Sequence, residues 1–475
     1  MGNLIEQYDS TPVLVDEQEN LPVSSFFIIW AMIWIVALFA AAAAFFGVGP
    51  FYAVVIIAAV AAVHSVINPR IAIYFLIIAL PLEWLIGISR YFTPTKVVAV
   101  WAVLVSIPVI IKAVTKRWDP TAKWLILLLL WAGVGILWAN NKIACVASLQ
   151  TLLLIWSMPL LICTHLNKRS YLHIGLLFFI LGSVLSCLMF IKTGDVYSIA
   201  GKGYMRIGMI TLAGAQDIEA ETNIPPRLYA LSLFMCIYLF VSTRGIVRRF
   251  LFGCAMVVLV AGVLLSKTRA VYLGVPVAVV FGVSLLKGAG FARRLLFLIM
   301  LGLLGCITLF VIGRIGLIGA GVQERFASIF EESVRAGGRI YLWRSYIQAF
   351  ISSGGFGKGL NQVRWLPEVT NVAHNDWIEI AGDLGVVGLV AFAGFHWCLF
   401  LRILKMDNIW SKLLCLMIWS FIMFGGLVET DYGRKYYTMA ISFVLTQIKI
   451  DEVETARKQD LMSVEAYYQE ADNRE

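Results

Sequence analysis

His374-Asn375-Asp376-Trp377-Ile378-Glu379-Ile380-Ala381-Gly382-Asp383-Leu384-Gly385-Val386-Val387-Gly388 leaves a long polar loop and continues, free of further Asp, Glu, Lys or Arg, to Leu401. The run predicts a helix over 376–401, long and apolar enough to cross a bilayer, which takes about 20 residues. Its histidine stands at the mouth, placed for chemistry at a membrane surface. At roughly 100° per residue, Gly385 and Gly388 return to within a few tens of degrees of the His374 face. That face is expected to be smooth, so that another helix or a lipid tail approaches closely.

Similar runs fill the chain and predict about fourteen transmembrane helices: 26–47, 50–67, 71–86, 96–111, 122–138, 143–164, 171–192, 227–241, 250–265, 270–286, 295–317, 376–401, 410–428 and 436–449. A chain that is 60% hydrophobic and 14% charged over 475 residues is no soluble domain. The fold class is all-α: a polytopic integral membrane protein, with a tail at 1–25, a membrane domain at 26–450, a large loop at 319–373 inserted in it, and a polar tail at 451–475 that is expected to be mobile. Val23–Gly47 follows an acidic N-terminal stretch and leads into further spans, unlike a cleavable signal peptide.

Basic residues recur in alternate loops: Arg70; Lys112, Lys116, Arg117 and Lys123; Lys168 and Arg169; Arg244, Arg248 and Arg249; Lys287, Arg293 and Arg294; Arg402, Lys405 and Lys412. By the positive-inside rule these loops and both tails are expected in the cytoplasm. The net charge of +9 is then a topology signal. No nucleic-acid motif, zinc spacing or Walker A loop is present. All eight cysteines fall in expected spans, which predicts free, buried thiols. The deeper ionisable candidates in the spans are few: His64, Glu83, Glu379 and Asp383. Glu379 and Asp383, at i and i+4, are expected to pair with a neighbouring helix. So little core charge disfavours an ion-coupled pump.

Two loops on the opposite side are long, Thr193–Pro226 and Gly319–Ala373, and loops of that length are usually functional or disordered. In the second, Arg339, Trp343, Ile347 and Phe350 share one helical face, predicting an amphipathic interfacial helix that ends near Ser352-Ser353-Gly354-Gly355. Cations gather on this side against the usual bias: Lys202, Arg206 and Arg227; Lys267 and Arg269 in a tight turn; Arg314, Arg325, Arg335, Arg339 and Arg344. An anionic headgroup or a pyrophosphate would suit them, since the arginine fork binds phosphate oxygens bidentately. Arg269, at the head of a span after a very short turn, has the least freedom to point elsewhere.

Three stretches together resemble the O-antigen ligase and Wzy-type polymerase superfamily of bacterial envelope glycan assembly. His374-Asn375, nine residues, then Gly385 and Gly388 fit its H-[NSQ]-x9-G-x-x-G pattern. Arg269-Ala270-Val271-Tyr272-Leu273 fits its R-x-x-x-L element. Arg339-Ile340-Tyr341-Leu342-Trp343, followed by Gly355-Phe356-Gly357-Lys358-Gly359, resembles its arginine–tryptophan and glycine-rich stretch. The likeness covers about residues 260–390. Ligases of this kind usually have twelve spans, whereas about fourteen are expected here.

The resemblance implies a GT-C-like glycosyltransferase of the bacterial inner membrane, with its site on the periplasmic face. The donor would be a glycan on undecaprenyl pyrophosphate, moved en bloc to an acceptor hydroxyl with inversion. The acceptor would be lipid A-core oligosaccharide for a ligase or a growing polysaccharide for a polymerase. On that reading His374 is the general base and Arg269 the pyrophosphate clamp. Arg206 and Arg339 are further phosphate ligands, followed by Lys267, Trp343 and Asn375. No metal, cofactor or nucleic acid is expected; membrane lipids are. A lipid-linked glycan flippase and a non-catalytic membrane scaffold are the competing classes. The first would need a charged mid-membrane cavity, and the second would tolerate loss of His374.

Overall fold

The computed structural model describes residues 63–83, 86–87, 94–114, 119–193, 195–199, 202–206, 210–211, 224–266, 268–286, 336–367, 369 and 371–472. The chain forms two compact units, Met1–Ile71 and Ala72–Glu475. In the first, residues 63–67 are helical and His64 is half-buried. The spans expected at 26–47 and 295–317, and most of 50–67, lie outside the described residues.

Each other expected span coincides with a helix. In chain order these are α1 (Pro69–Leu82), α2 (Pro94–Val114), α3 (Ala122–Val134), α4 (Lys142–Trp156), α5 (Met158–His165), α6 (Arg169–Thr193), α7 (Ile224–Ser242), α8 (Ile246–Leu265), α9 (Arg269–Ser284), α10 (Ala336–Ser352), α11 (Asp376–Lys405), α12 (Ile409–Val428) and α13 (Lys435–Asp472). α10 belongs to the large loop. Among the described residues six helices are long and apolar enough to cross a membrane: α4 with α5, α6, α7, α8, α11 and α12. α1, α2, α3 and α9 are shorter apolar helices. The architecture is all-helical apart from two small loop pairings. β1 (Ile86–Gly87) runs parallel to β4 (Ile210–Thr211), and β2 (Asp195–Ile199) forms a hairpin with β3 (Lys202–Arg206).

α7 and the first part of α13 form the centre. α7 is apolar on every face and is buried from Ile224 to Leu239, as a helix with no polar stripe must be. α13 is buried between Tyr436 and Leu445 although it carries Thr438 and Ser442. The Ser442 hydroxyl donates to the Thr438 carbonyl and that of Thr446 to Ser442, so these side chains enter the core with their hydrogen bonds made. Gly262 lets α8 close on Cys187 and Tyr229: a Cβ there would lie 2.3 Å from the cysteine sulfur.

Among the described residues, the basic loops around Asp119, Arg169 and Arg402 meet at one end of the bundle. Arg402 binds Asp119 and Glu452, and Arg169 binds Glu454. Asp451 accepts the N–H groups of Asp407 and Asn408. The polar tail therefore departs from expectation: it is helical to Asp472, and its first turn is fastened by acids to the basic loops. Of the described cysteines all are free, and Cys254 is exposed instead of buried.

The opposite end is organised by a break in α11. Gly385 has φ +65° and ψ −159°, a conformation almost confined to glycine. Its Cβ position is taken by the Gly355 carbonyl and the Phe356 backbone, and that of Gly357 by the Asp383–Gly385 backbone. The freed backbone groups are satisfied across the break. Lys358 N–H donates to Gly382, Gly359 N–H to Asp383, Val386 N–H to Gly355, and Trp131 Nε1 to the Leu384 carbonyl. The smooth face expected for a helix or lipid tail instead receives the glycine-rich loop of the chain itself.

An alanine at Gly385 meets both obstacles. The backbone conformation alone costs about 1–3 kcal/mol, and the Cβ overlaps backbone that cannot rotate away. Gly385→Ala should lower the thermal midpoint of the purified protein clearly. Gly253→Ala in α8, whose Cβ meets nothing within 4 Å, should leave it unchanged or slightly raised.

Candidate active site

The outer half of α11 starts with a side-chain cap. Asn375 Oδ1 accepts the Ile378 N–H at 3.1 Å, and Asn375 Nδ2 donates to the Leu427 carbonyl at 3.0 Å. Asparagine is a preferred N-cap for this reason. The residue before it, His374, has φ +52°, rare for a side chain of its kind and a mark of constraint. The constraint has visible sources. Trp343 of α10 donates its indole N–H to the Ala373 carbonyl at 2.9 Å, and the Ala373 N–H donates to Glu379 Oε2 at 3.2 Å. The histidine is thus pinned from both sides, and its side chain remains 25% exposed.

His374 Nδ1 is hydrogen-bonded to Glu429 Oε1, on the turn that follows α12. An ionised carboxylate only accepts, so Nδ1 carries the proton, and in the neutral ring Nε2 is the nitrogen with the lone pair. Burial pushes Glu429 upward. The hydrogen bond to His374, with the charges of His374, Arg227 and Arg339, outweighs it and holds Glu429 below the ordinary glutamate value. Beneath the pair lies Arg227 at the head of α7, 3% exposed. Its NH1 donates to Asp431 Oδ1 at 2.5 Å and to the Tyr436 hydroxyl at 2.8 Å, while NH2 lies 3.9 Å from Glu429 Oε2. Burial raises Asp431 above the ordinary aspartate value against the pull of Arg227. The arrangement has the logic of an oriented base: an imidazole, a carboxylate that fixes its tautomer, and a buried cation behind the carboxylate.

Three buried acids on the same half-helix hold the loops around this pair. Asp376 Oδ1 accepts the N–H groups of Asp431 and Tyr432. Glu379 Oε2 accepts the Thr430 hydroxyl at 2.7 Å as well as Ala373 N–H. Asp383 accepts the N–H groups of Asn361, Gln362 and Val363. Glu379 and Asp383 therefore bind loops, where the sequence suggested a partner helix. Glu83 is paired with Lys435.

The expected site residues separate into groups. His374 sits at the centre. Arg339 is exposed on α10, near enough for its charge to act on Glu429. Asn375 and Trp343 are braces: the asparagine is 7% exposed with both amide atoms engaged, and the indole N–H holds the His374 loop. Arg269 begins α9, which runs antiparallel to α12. Gly274 faces Phe421 and Phe424, and Gly282 faces Leu413 and Met417. That register brings the first turn of α9 toward the end of α12. Arg206 is the last residue of β3, and Lys267 lies outside the described residues.

The α10 helix is present with a different buried face. Leu342, Tyr346 and Ala349 pack on Val363, Val369 and Ala373, whereas Ile347 of the expected face is 47% exposed. Sequence reading missed Glu429, Asp431 and the burial of Arg227. The available signal was Glu429-Thr430-Asp431, a polar triplet directly after an apolar run.

This is a polytopic helical membrane protein with an oriented histidine at one end of its bundle. Residues 254–393 match the Wzy_C family model, described as O-antigen ligase, and the match supports an O-antigen ligase/Wzy-type family. It spans both Arg269-x-x-x-Leu273 and the His374–Gly388 stretch. The family suggests a membrane enzyme of ligase or polymerase kind. No curated protein matches the chain.

A carboxyl held below its unfolded value stabilises the fold above that value and loses the contribution as pH falls through the folded one. The Glu429 contribution should be complete at neutral pH and fade only below the ordinary glutamate value of about 4.3. Thermal unfolding across pH should show wild type above Glu429→Gln at pH 7, the gap closing only in that acid range. A gap that closes at higher pH would assign the loss to another group.

Proposed function

We propose that the protein transfers a glycan en bloc from undecaprenyl pyrophosphate to an acceptor hydroxyl, at the periplasmic face of the bacterial inner membrane. The observation that carries this reading is the His374–Glu429 pair, whose histidine lies inside the segment that matches the O-antigen ligase family. Nε2 of His374 takes the proton of the acceptor hydroxyl as its oxygen attacks the anomeric carbon. Glu429 holds the ring and stabilises the imidazolium that forms. The bond to pyrophosphate breaks on the opposite side, so the anomeric centre inverts.

The leaving group carries its charge at the start and gains more as the bond breaks, so arginines at that position favour the transition state. Arg269 is the main clamp, with Arg339 and Arg206 assisting. Its fork offers two parallel hydrogen bonds where a lysine offers a point charge. A ligase, with lipid A-core oligosaccharide as acceptor, is the favoured branch because the histidine motif fits it without a gap. In cells lacking the gene, complete unattached polymer marks a ligase and single repeat units a polymerase.

In reconstituted vesicles His374→Ala and His374→Gln should both lose about 10²–10⁴-fold in rate with donor binding kept. Glu429→Gln should fall in rate too, since an amide cannot stabilise the imidazolium. An active glutamine variant at 374 would sink the base assignment and leave a hydrogen-bonding role. Arg269→Lys should lose most activity despite keeping its charge; wild-type turnover would reject the clamp. Transfer is expected to persist in EDTA. Asp376, the acid nearest His374 in sequence, already accepts two backbone N–H groups and lies against Gly426. Loss of activity in chelator with recovery in magnesium or manganese would refute the metal-free mechanism.

A further inference from the structure

We propose that Arg364 and Trp365 form an acceptor subsite, in which the Trp365 ring stacks on a sugar of the incoming glycan and Arg364 hydrogen-bonds its hydroxyls or acidic groups. This rests on the transferase reading and names where that substrate is held.

Trp365 is 54% exposed although the loop around it has a core of its own. It stands on a single turn of 3-10 helix, Val363–Trp365, that is fixed unusually firmly for a loop. Asp383 holds the turn through three N–H groups. Gln362, 1% exposed, accepts the Asn141 N–H at 2.7 Å, and Asn361 Nδ2 donates to Ser148 at 2.8 Å. The turn is therefore braced against the start of α4 and against the half-helix that Asn375 caps. Its position relative to His374 is set by the half-helix Asp376–Leu384, which also holds the histidine's neighbours.

A large ring held rigidly toward solvent needs an apolar partner. The neighbours identify which kind. The Arg364 guanidinium lies 5.9 Å from the Trp365 ring centre and donates to Asn361 Oδ1 at 3.3 Å. Its charge also acts on Glu379, whose carboxylate holds the residue before His374. A hydrogen-bonding cation beside the ring is out of place among acyl chains. A pyranose matches both parts, offering a C–H face to the indole and hydroxyls to the guanidinium. A membrane-interface anchor for Trp365 is the competing outcome, because tryptophan also concentrates there.

The test uses the purified full-length protein and soluble acceptor, as deacylated core oligosaccharide and O-antigen repeat oligosaccharide from the source cells. Binding is measured by calorimetry, and acceptor and donor KM in vesicles. Trp365→Leu keeps an apolar anchor and loses the ring; Trp365→Tyr keeps a ring. The leucine variant should weaken oligosaccharide binding and raise acceptor KM about tenfold, the loss of one good anchor. Its kcat and donor KM should stay near wild type. The tyrosine variant should remain within a few-fold. Leucine binding and acceptor KM equal to wild type would overturn the subsite and leave a lipid anchor, as would a change confined to donor KM. The binding measurement needs no turnover. A wild type that binds acceptor but transfers nothing would count against the transferase reading alone, whereas a working transferase indifferent to Trp365→Leu would count against the subsite alone.

Discussion

Buried backbone polar groups must be satisfied by the protein itself, and at the His374 end that duty falls on the half-helix Asp376–Leu384. Asp376, Glu379 and Asp383 line the outer half of α11, and each spends its carboxylate on N–H or O–H groups of a different segment. A buried N–H without a partner costs about as much as a lost hydrogen bond. The loops at 361–363, 373 and 430–432 therefore have one low-energy way to sit. The three acids act as internal caps for chain that has no secondary structure of its own.

The His374–Glu429 pair inherits its geometry from those caps. Ala373 is held by Glu379, and Asn375 by its own cap and by Leu427, so His374 between them has a fixed backbone. Glu429 lies between Leu427, which Asn375 holds, and Thr430, which Glu379 holds. Both members of the dyad are thus referenced to one short helix. Arg227 adds the electrostatic part: it keeps buried cationic charge close to Glu429 and Asp431, which would otherwise repel each other. An imidazole oriented in this way is ready to take a proton without first reorganising its surroundings.

Much of this was legible in the sequence, and the limits have physical causes. The spans announced themselves because a membrane helix is a long local signal. His374 and the glycine pattern were found by their spacing. The meaning of the glycines was not, since helical spacing assumes an unbroken helix and Gly385 breaks it. Glu429 lies 55 residues from its histidine, and no local pattern encodes a pairing made by the packing of α11 against α12. Glu379 and Asp383 looked like helix-pairing charges because their i, i+4 spacing is the only relation a linear reading supplies. The loops they hold are close in space and remote along the chain. The tail beyond Asp451 read as mobile from its polarity, yet its acids are counter-charges for Arg402 and Arg169.

The break at Gly385 joins the membrane problem to the chemical one. A continuous helix over the 30 residues of α11 would be about 45 Å long at 1.5 Å per residue, against a hydrocarbon thickness of about 30 Å. The stretch after the break, Val386–Lys405, carries no acid and matches that thickness at about 30 Å. The stretch before it carries three acids that hydrocarbon would not tolerate. Dividing the helix there lets the apolar half cross the membrane and the acidic half turn into the surface layer, where loops rather than lipid surround it. The glycine-rich loop fills the gap and satisfies the backbone groups that the break exposes.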